Sequence, residues 1–456
     1  MTFEGGSFRD PDGRVFLGDG KVLRGLTPRG AEEWRALSGA AFFKAAVADG
    51  RIVRSEERPP EAPWAVVLEH ERIPAVSYPY EWGFEMLKDA ALLTLDLELS
   101  AVAEGFTLKD GSAYNVQFIG ARPVFIDVGS FERLKPGGIW AGHGQFCSQF
   151  LYPLMLRAYR GLPHAPWLRG RLEGLTADEA RRALGLRSAF RPGVFQHVIV
   201  PGRLQQEHAG DAGDLRAELA AAGAGAPLLS AGLRKLRSLV AGLSWEPPAS
   251  LWSSYGRGAH YAEDDLAAKE DFVRVAAAAR PRKLAWDLGA NRGHYAHRLA
   301  REAALVLALD ADAPTHEGLY RALKSGNASG ILPLCVDLAD PSPAQGWRGR
   351  ERRRLEERAA PDFILALAVL HHLRLGAGVP TAELVDWLAA LKAEAVVEFV
   401  AKDDPAARRL LARKADRYED WTVSAFEAAL STRFETVKRS ELAAGRRVLY
   451  HLRPRG

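Results

Sequence analysis

The chain of 456 residues is 47% hydrophobic and 26% charged, enough core-forming material for two or three domains, which excludes intrinsic disorder as the main architecture. Its 61 Lys and Arg nearly cancel 57 Asp and Glu; a net charge of +4 makes no densely basic face, so nucleic acid is not the expected partner. Cys147 and Cys335 are too few for a disulfide framework or a Cys-rich zinc site, and no metal site is expected. The opening MTFEGGSFRDPDG has no basic-then-apolar leader, and no window approaches the ~20 apolar residues of a membrane span. A soluble cytoplasmic protein is expected.

In chain order, residues 13–25, GRVFLGDGKVLRG, predict a hairpin around Gly18-Asp19-Gly20. APWAVVLEHERIPAVSYPYEW predicts a strand and an aromatic crossover, in which Ser77–Trp82 could face a ligand or pack between domains. A helix, GFEMLKDAALLTLDLELSAVAEG, then leads to Asp110 and Asn115, and two strands, VQFIG and PVFID, end at Asp127-Val128-Gly129. This order is similar to the C-lobe of kinase-like phosphotransferases. The resemblance implies that Asp110 meets a substrate hydroxyl and that Asn115 and Asp127 hold a metal ion. Leu108-Lys109 stands where that family has His-Arg, Val128 replaces a Phe, and Lys44 is a poor candidate for the phosphate-binding lysine. Three readings stay open: an active phosphotransferase, an inactive kinase-like module that recognises substrate, or an unrelated α+β domain whose Asp and Asn cap turns.

Residues 205–250 are Ala/Gly-rich and end in a Pro pair, which predicts a helical connector. Beyond Pro281 the texture changes to short, nearly continuous apolar runs: KLAWDLGA, ALVLALDA, ILPLCVDL, DFILALAVL and AEAVVEFV. Helix-forming stretches separate them, which predicts a parallel sheet covered on both faces. The ending FETVKRSELAAGRRVLYHLRPR predicts two antiparallel strands joined at an Ala-Gly turn.

Ligands of such sheets bind outside the carboxyl ends of the strands. The first run ends in Asp287-Leu288-Gly289-Ala290-Asn291-Arg292-Gly293, a turn that lets backbone approach a ligand closely. The second ends at Asp310, an acid able to accept from ribose hydroxyls. The third ends in Asp337-Leu338, where an adenine amine could donate. Together these residues resemble the class I S-adenosylmethionine-dependent methyltransferases, over about 200 residues. The resemblance implies S-adenosyl-L-methionine as cofactor: Asp287, Gly289, Asn291 and Gly293 surround its methionine part, Asp310 its ribose, and Asp337 and Leu338 its adenine. Asn291 takes the place of a common glycine. Trp252, Tyr255, His260, Tyr261 and Lys269 precede the first strand, where the resemblance puts a segment across the cofactor; Tyr261 is the expected cofactor contact.

His371 and His372 follow the fourth run and Glu398 lies near the end of the fifth, so these three are the candidate catalytic bases. Adjacent side chains do not easily both point into a pocket, so at most one of the two histidines is expected to be catalytic. The mixed-charge run Arg348–Arg358 reads as a solvated helix face, with an RNA-facing patch as the alternative.

The expected architecture is therefore a 1–204 α+β domain of kinase-like or unrelated type, a 205–250 connector, and a 251–456 Rossmann-like methyltransferase domain. That last domain is α/β, a doubly wound sheet with an antiparallel terminal strand. The whole also resembles bacterial two-part nodulation-type methyltransferases, which implies a small-molecule or glycoconjugate substrate. Two other functions stay open: a bifunctional protein that also transfers phosphate, and a non-catalytic cofactor-binding scaffold.

Overall fold

A computed structural model describes residues 2–135, 140–201, 225–249, 263–415 and 417–455. The chain forms two compact units: residues 1–246 with 344–352, and residues 247–343 with 353–456.

The first unit opens on an antiparallel sheet of β1 (Thr2–Phe3), β2 (Gly13–Gly18), β3 (Lys21–Leu26), β4 (Ser55–Arg58) and β5 (Val66–His70), in the order β1-β2-β3-β5-β4. The β2–β3 turn sets Asp19 at φ +50° and Gly20 at φ +77°. Positive φ at both central residues is the two-residue turn whose twist suits a hairpin, as the sequence predicts. Helix Pro28–Gly39 follows β3; Thr27 caps it by accepting from the Gly30 N–H, and Pro28 sits where no N–H is needed. The 20-residue helix Phe84–Ala103 buries twelve side chains, because elements pack on it from several sides. One of these is helix Gly225–Gly242, which buries Leu233, Leu236 and Val240 and ties Arg237 to Asp96. Two hairpin-like pairs follow: β6 (Phe106–Leu108) with β9 (Phe131–Arg133), and β7 (Val116–Ile119) with β8 (Arg122–Phe125).

The nine residues 344–352 also belong to this unit. Arg9 holds Glu351 bidentately, Nε to Oε2 at 2.9 Å and Nη2 to Oε1 at 2.7 Å. The Arg352 guanidinium lies 4.0 Å over the Tyr114 ring. The run Arg348–Arg358 is thus not one solvated helix: it has a 3-10 turn at Trp347–Gly349, a single helical turn at Leu355–Arg358, and buried Glu351 and Arg358.

The second unit is a seven-stranded sheet: β10 (Arg282–Leu288), β11 (Ala303–Asp310), β12 (Ile331–Cys335), β13 (Phe363–Ala366), β14 (Glu394–Val400), β15 (Phe434–Leu442) and β16 (Arg447–Pro454). Their order is β12-β11-β10-β13-β14-β16-β15. The first five are parallel, and β16 inserts antiparallel between β14 and β15. Every predicted strand forms, because residues buried on both faces must be apolar along their whole length. Trp286 is wholly buried and satisfies its indole N–H on the Ala359 carbonyl at 2.8 Å. Burial of such a side chain stabilises the fold by about 2–3 kcal/mol. The β15–β16 turn uses left-handed Ala443, Ala444 and Gly445. The chain starts at the central β10, runs out to β12, and returns to β13, so the switch point lies at the carboxyl ends of β10 and β13.

Candidate functional site

At that edge β10 ends in Asp287 and Leu288, and the backbone turns through Gly289 (φ +71°), Asn291 (φ +49°) and Gly293 (φ +79°). Glycine is favoured at 293 by its left-handed backbone, and a Cβ there would lie 2.6 Å from Leu319 Cδ1, so that side chain would have to shift. The left-handed Asn291 is tolerated because its Oδ1 accepts from the Arg292 N–H at 2.7 Å, a local bond that few other side chains can make. Helix His294–Leu299 starts directly after Gly293.

Asp310 at the end of β11 fastens this turn. Its Oδ2 accepts from the Asn291 N–H and its Oδ1 from the Asp312 N–H, both at 2.8 Å. Burial raises its pKa, opposed by those two bonds. Asp287 is almost fully buried, and its Oδ2 has no hydrogen-bond partner among the described residues. Burial, with the charge of Asp310 added, pushes its pKa to about 8. Asp337, beyond β12, is exposed and accepts from the Ala339 N–H at 2.9 Å; Leu338 is half-buried. Trp252, Tyr255, His260 and Tyr261 lie outside the described residues.

After β13, His371 is buried, and neither ring nitrogen has a hydrogen-bond partner among the described residues. The His372 ring centroid lies 4.1 Å from that of His371, with the two ring planes tilted by 43°. Burial drives His371 well below the ordinary imidazole range and His372 to about 4; both are neutral near pH 7.

Glu398 does not fit the role of base. It is fully buried, with Oε2 2.7 Å from Lys269 Nζ and Oε1 3.3 Å from Arg447 Nη1. Arg447 also forks onto Asp404, at 2.7 Å from Oδ2 and 3.0 Å from Oδ1. Both Glu398 oxygens are taken up by buried cations, which leaves neither facing a substrate. Sequence reasoning missed Arg447 and Asp404. One signal was available: an arginine opening the otherwise apolar RVLYHL strand asks for a buried acid.

In the first unit, the β7–β8 hairpin brings Asn115 and Asp127 together, bridged by Ser130. Asn115 Nδ2 donates to Ser130 Oγ, and Ser130 Oγ donates to Asp127 Oδ2, each at 2.9 Å. Asp127 is also paired with Arg24 of β3 at 2.6 Å. Burial raises the pKa of Asp110, with the Asp127 charge adding to it. The cation beside Asp127 is thus a buried arginine on β3; Lys44 is exposed on helix Ala41–Ala48.

No protein-family model matches the chain. In sequence it is similar to nodulation protein NoeA of Rhizobium meliloti strain 1021, with 35% identity over 458 residues that span 98% of this chain and 94% of the relative. Among solved structures it is similar to the N-methyltransferase NodS from Bradyrhizobium japonicum WM9. That match covers 42% of this chain and 98% of NodS at 13% identity, with a TM-score of 0.32. It is also similar to magnesium protoporphyrin IX methyltransferase ChlM from Synechocystis PCC 6803 with bound SAH. There the match covers 44% of this chain and 90% of ChlM at 18% identity, with a TM-score of 0.30. Among the described residues, no helix is long and apolar enough to cross a membrane.

Proposed function

The chain belongs to the NoeA family of nodulation proteins, and on that premise we propose that its second unit is an S-adenosyl-L-methionine-dependent methyltransferase acting on a small molecule or glycoconjugate. The observation that carries this reading is the Asp310 carboxylate holding the left-handed Gly289–Gly293 turn at the switch point of a doubly wound sheet. The balanced charge supports a small acceptor over nucleic acid.

The residues fit this cofactor. The orphaned Asp287 Oδ2 is a buried acceptor that the amino group of a methionine moiety would satisfy. Each Asp310 oxygen keeps a lone pair beyond its backbone bond, enough to accept from ribose hydroxyls. We assign the adenine contacts to Asp337 and Leu338, beyond β12, and a further cofactor contact to Tyr261. When bound, the cofactor supplies a methyl group on a sulfonium that is already an activated leaving group.

What remains for the chain is to bring the acceptor in line, exclude water and receive a proton. We assign His371, whose ring nitrogens have no partner among the described residues, to accept a hydrogen bond from the acceptor's hydroxyl or amine, with the His372 ring packed 4.1 Å away. Glu398 instead anchors Lys269 and Arg447. Calorimetric titration of the full chain with S-adenosylhomocysteine tests the reading. One-to-one binding, lost in Asp310→Ala, supports it; no binding by folded protein removes it.

A further inference from the structure

The first unit carries a second side-chain cluster, His143, Cys147 and His197, whose ligand atoms all lie within 4.8 Å of one another. His143 opens a short helix (His143–Phe146), and Cys147 follows four residues on, at the start of a wider π-type segment (Cys147–Leu151). Residues four apart share one helical face, so the imidazole and the thiol converge, with Cys147 Sγ 3.7 Å from His143 Nε2. His197 reaches them from a second π-type segment, Phe195–Ile199, and its ring centroid is 6.1 Å from that of His143. Helices wound in this way are rare and frequently occur at functional sites.

The spacing suits a tetrahedral ion. With Zn–S near 2.3 Å and Zn–N near 2.0 Å, ligand atoms stand about 3.3–3.5 Å apart, a few tenths of an ångström closer than His143 and Cys147 already are. The surroundings are rigid. The Tyr152 hydroxyl donates to the His197 carbonyl at 2.9 Å, and Trp140 packs edge-on against the His143 ring at 5.9 Å. Neither histidine is buried, so an ion has a route from solvent to the buried Cys147.

We propose that His143, Cys147 and His197 form a three-ligand site for a soft divalent cation of the zinc class, its fourth position open to solvent. The donor set, one sulfur and two imidazoles, selects against magnesium and calcium, which prefer oxygen. Binding converts the thiol to a metal-bound thiolate and releases its proton to solvent. The site is independent of the methyltransferase reading. It also revises the expectation of no metal site, since the three residues come together only in the folded chain.

The test is titration of the full chain with Co²⁺, then displacement by Zn²⁺ against a chromophoric chelator. One equivalent of Co²⁺ should give sulfur-to-cobalt charge transfer in the near ultraviolet with the visible bands of a tetrahedral ion. Cys147→Ala should abolish the charge transfer, and His143→Ala or His197→Ala should weaken binding at least tenfold. His143 and His197 are not buried, so those variants keep the test valid if Cys147→Ala fails to fold. Cys335→Ala should leave the spectrum unchanged. Octahedral cobalt without a sulfur band, a spectrum that follows Cys335, or undiminished affinity in both histidine variants would overturn the proposal.

Discussion

The Asn291 backbone N–H donates to Asp310 Oδ2 at 2.8 Å, so the acid at the end of one strand holds the turn that follows its neighbour. Asp310→Ala therefore removes two charge-assisted bonds to backbone and any ligand contact together. Hydrogen bonds to charged groups contribute about 1.5–3 kcal/mol each. S-adenosylhomocysteine affinity should fall at least a hundredfold, measured by calorimetry, while the circular dichroism spectrum keeps its α/β form. Asp310→Asn, which retains one acceptor, should lose less.

Gly293→Ala should destabilise the second unit by about 1–3 kcal/mol, from a left-handed non-glycine residue and the collision with Leu319. Denaturant unfolding measures this. Gly376→Ala, with open space around it, is the comparison and should be near neutral.

Glu398 was legible as an acid at a strand end, but not as a member of an ion cluster. Its partners Lys269 and Arg447 stand 129 and 49 residues away in sequence, and no local pattern links them. The same holds for Arg24 and Asp127, 103 residues apart. The parallel strands and the Gly-Asn-Gly turn were readable because burial on both faces and left-handed backbone restrict residue choice locally. The charged run at 348–358 misled for the opposite reason: the partner of Glu351 is Arg9, 342 residues away, so mixed signs looked like a solvated surface.

Replacing Glu398 by Leu leaves Lys269 and Arg447 short of a buried counter-charge and should cost about 3–5 kcal/mol. The double variant Lys269→Met/Glu398→Leu removes both charges of the 2.7 Å pair and should recover at least 1 kcal/mol of that loss. Urea unfolding of the singles and the double closes the cycle. Strict additivity would mean that the two side chains are not coupled.

Asp287 gives the fold a pH dependence of unusual sign. Its carboxyl is held at about 8 in the native state, against about 3.9 in an unfolded chain. Between those values the native state binds more protons than the unfolded one, so this group's contribution to stability declines as pH rises from about 4 to about 8. Asp287→Asn should flatten that slope when unfolding is followed at several pH values. An unchanged slope would place its origin elsewhere.

The chain enters and leaves its first unit more than once: it departs after Glu246, returns for Ala344–Arg352, and departs again. Three covalent links therefore join the two units, and no single cut yields both intact. A fragment that ends at Glu246 lacks the carboxylate that Arg9 grips, and one that begins at Pro247 carries nine residues whose docking partners have been discarded. Dissection by truncation would penalise both halves for the same missing contact. A faithful separation replaces Ala344–Arg352 with a short Gly/Ser bridge in the C-terminal fragment and supplies the excised nonapeptide to the N-terminal fragment in trans.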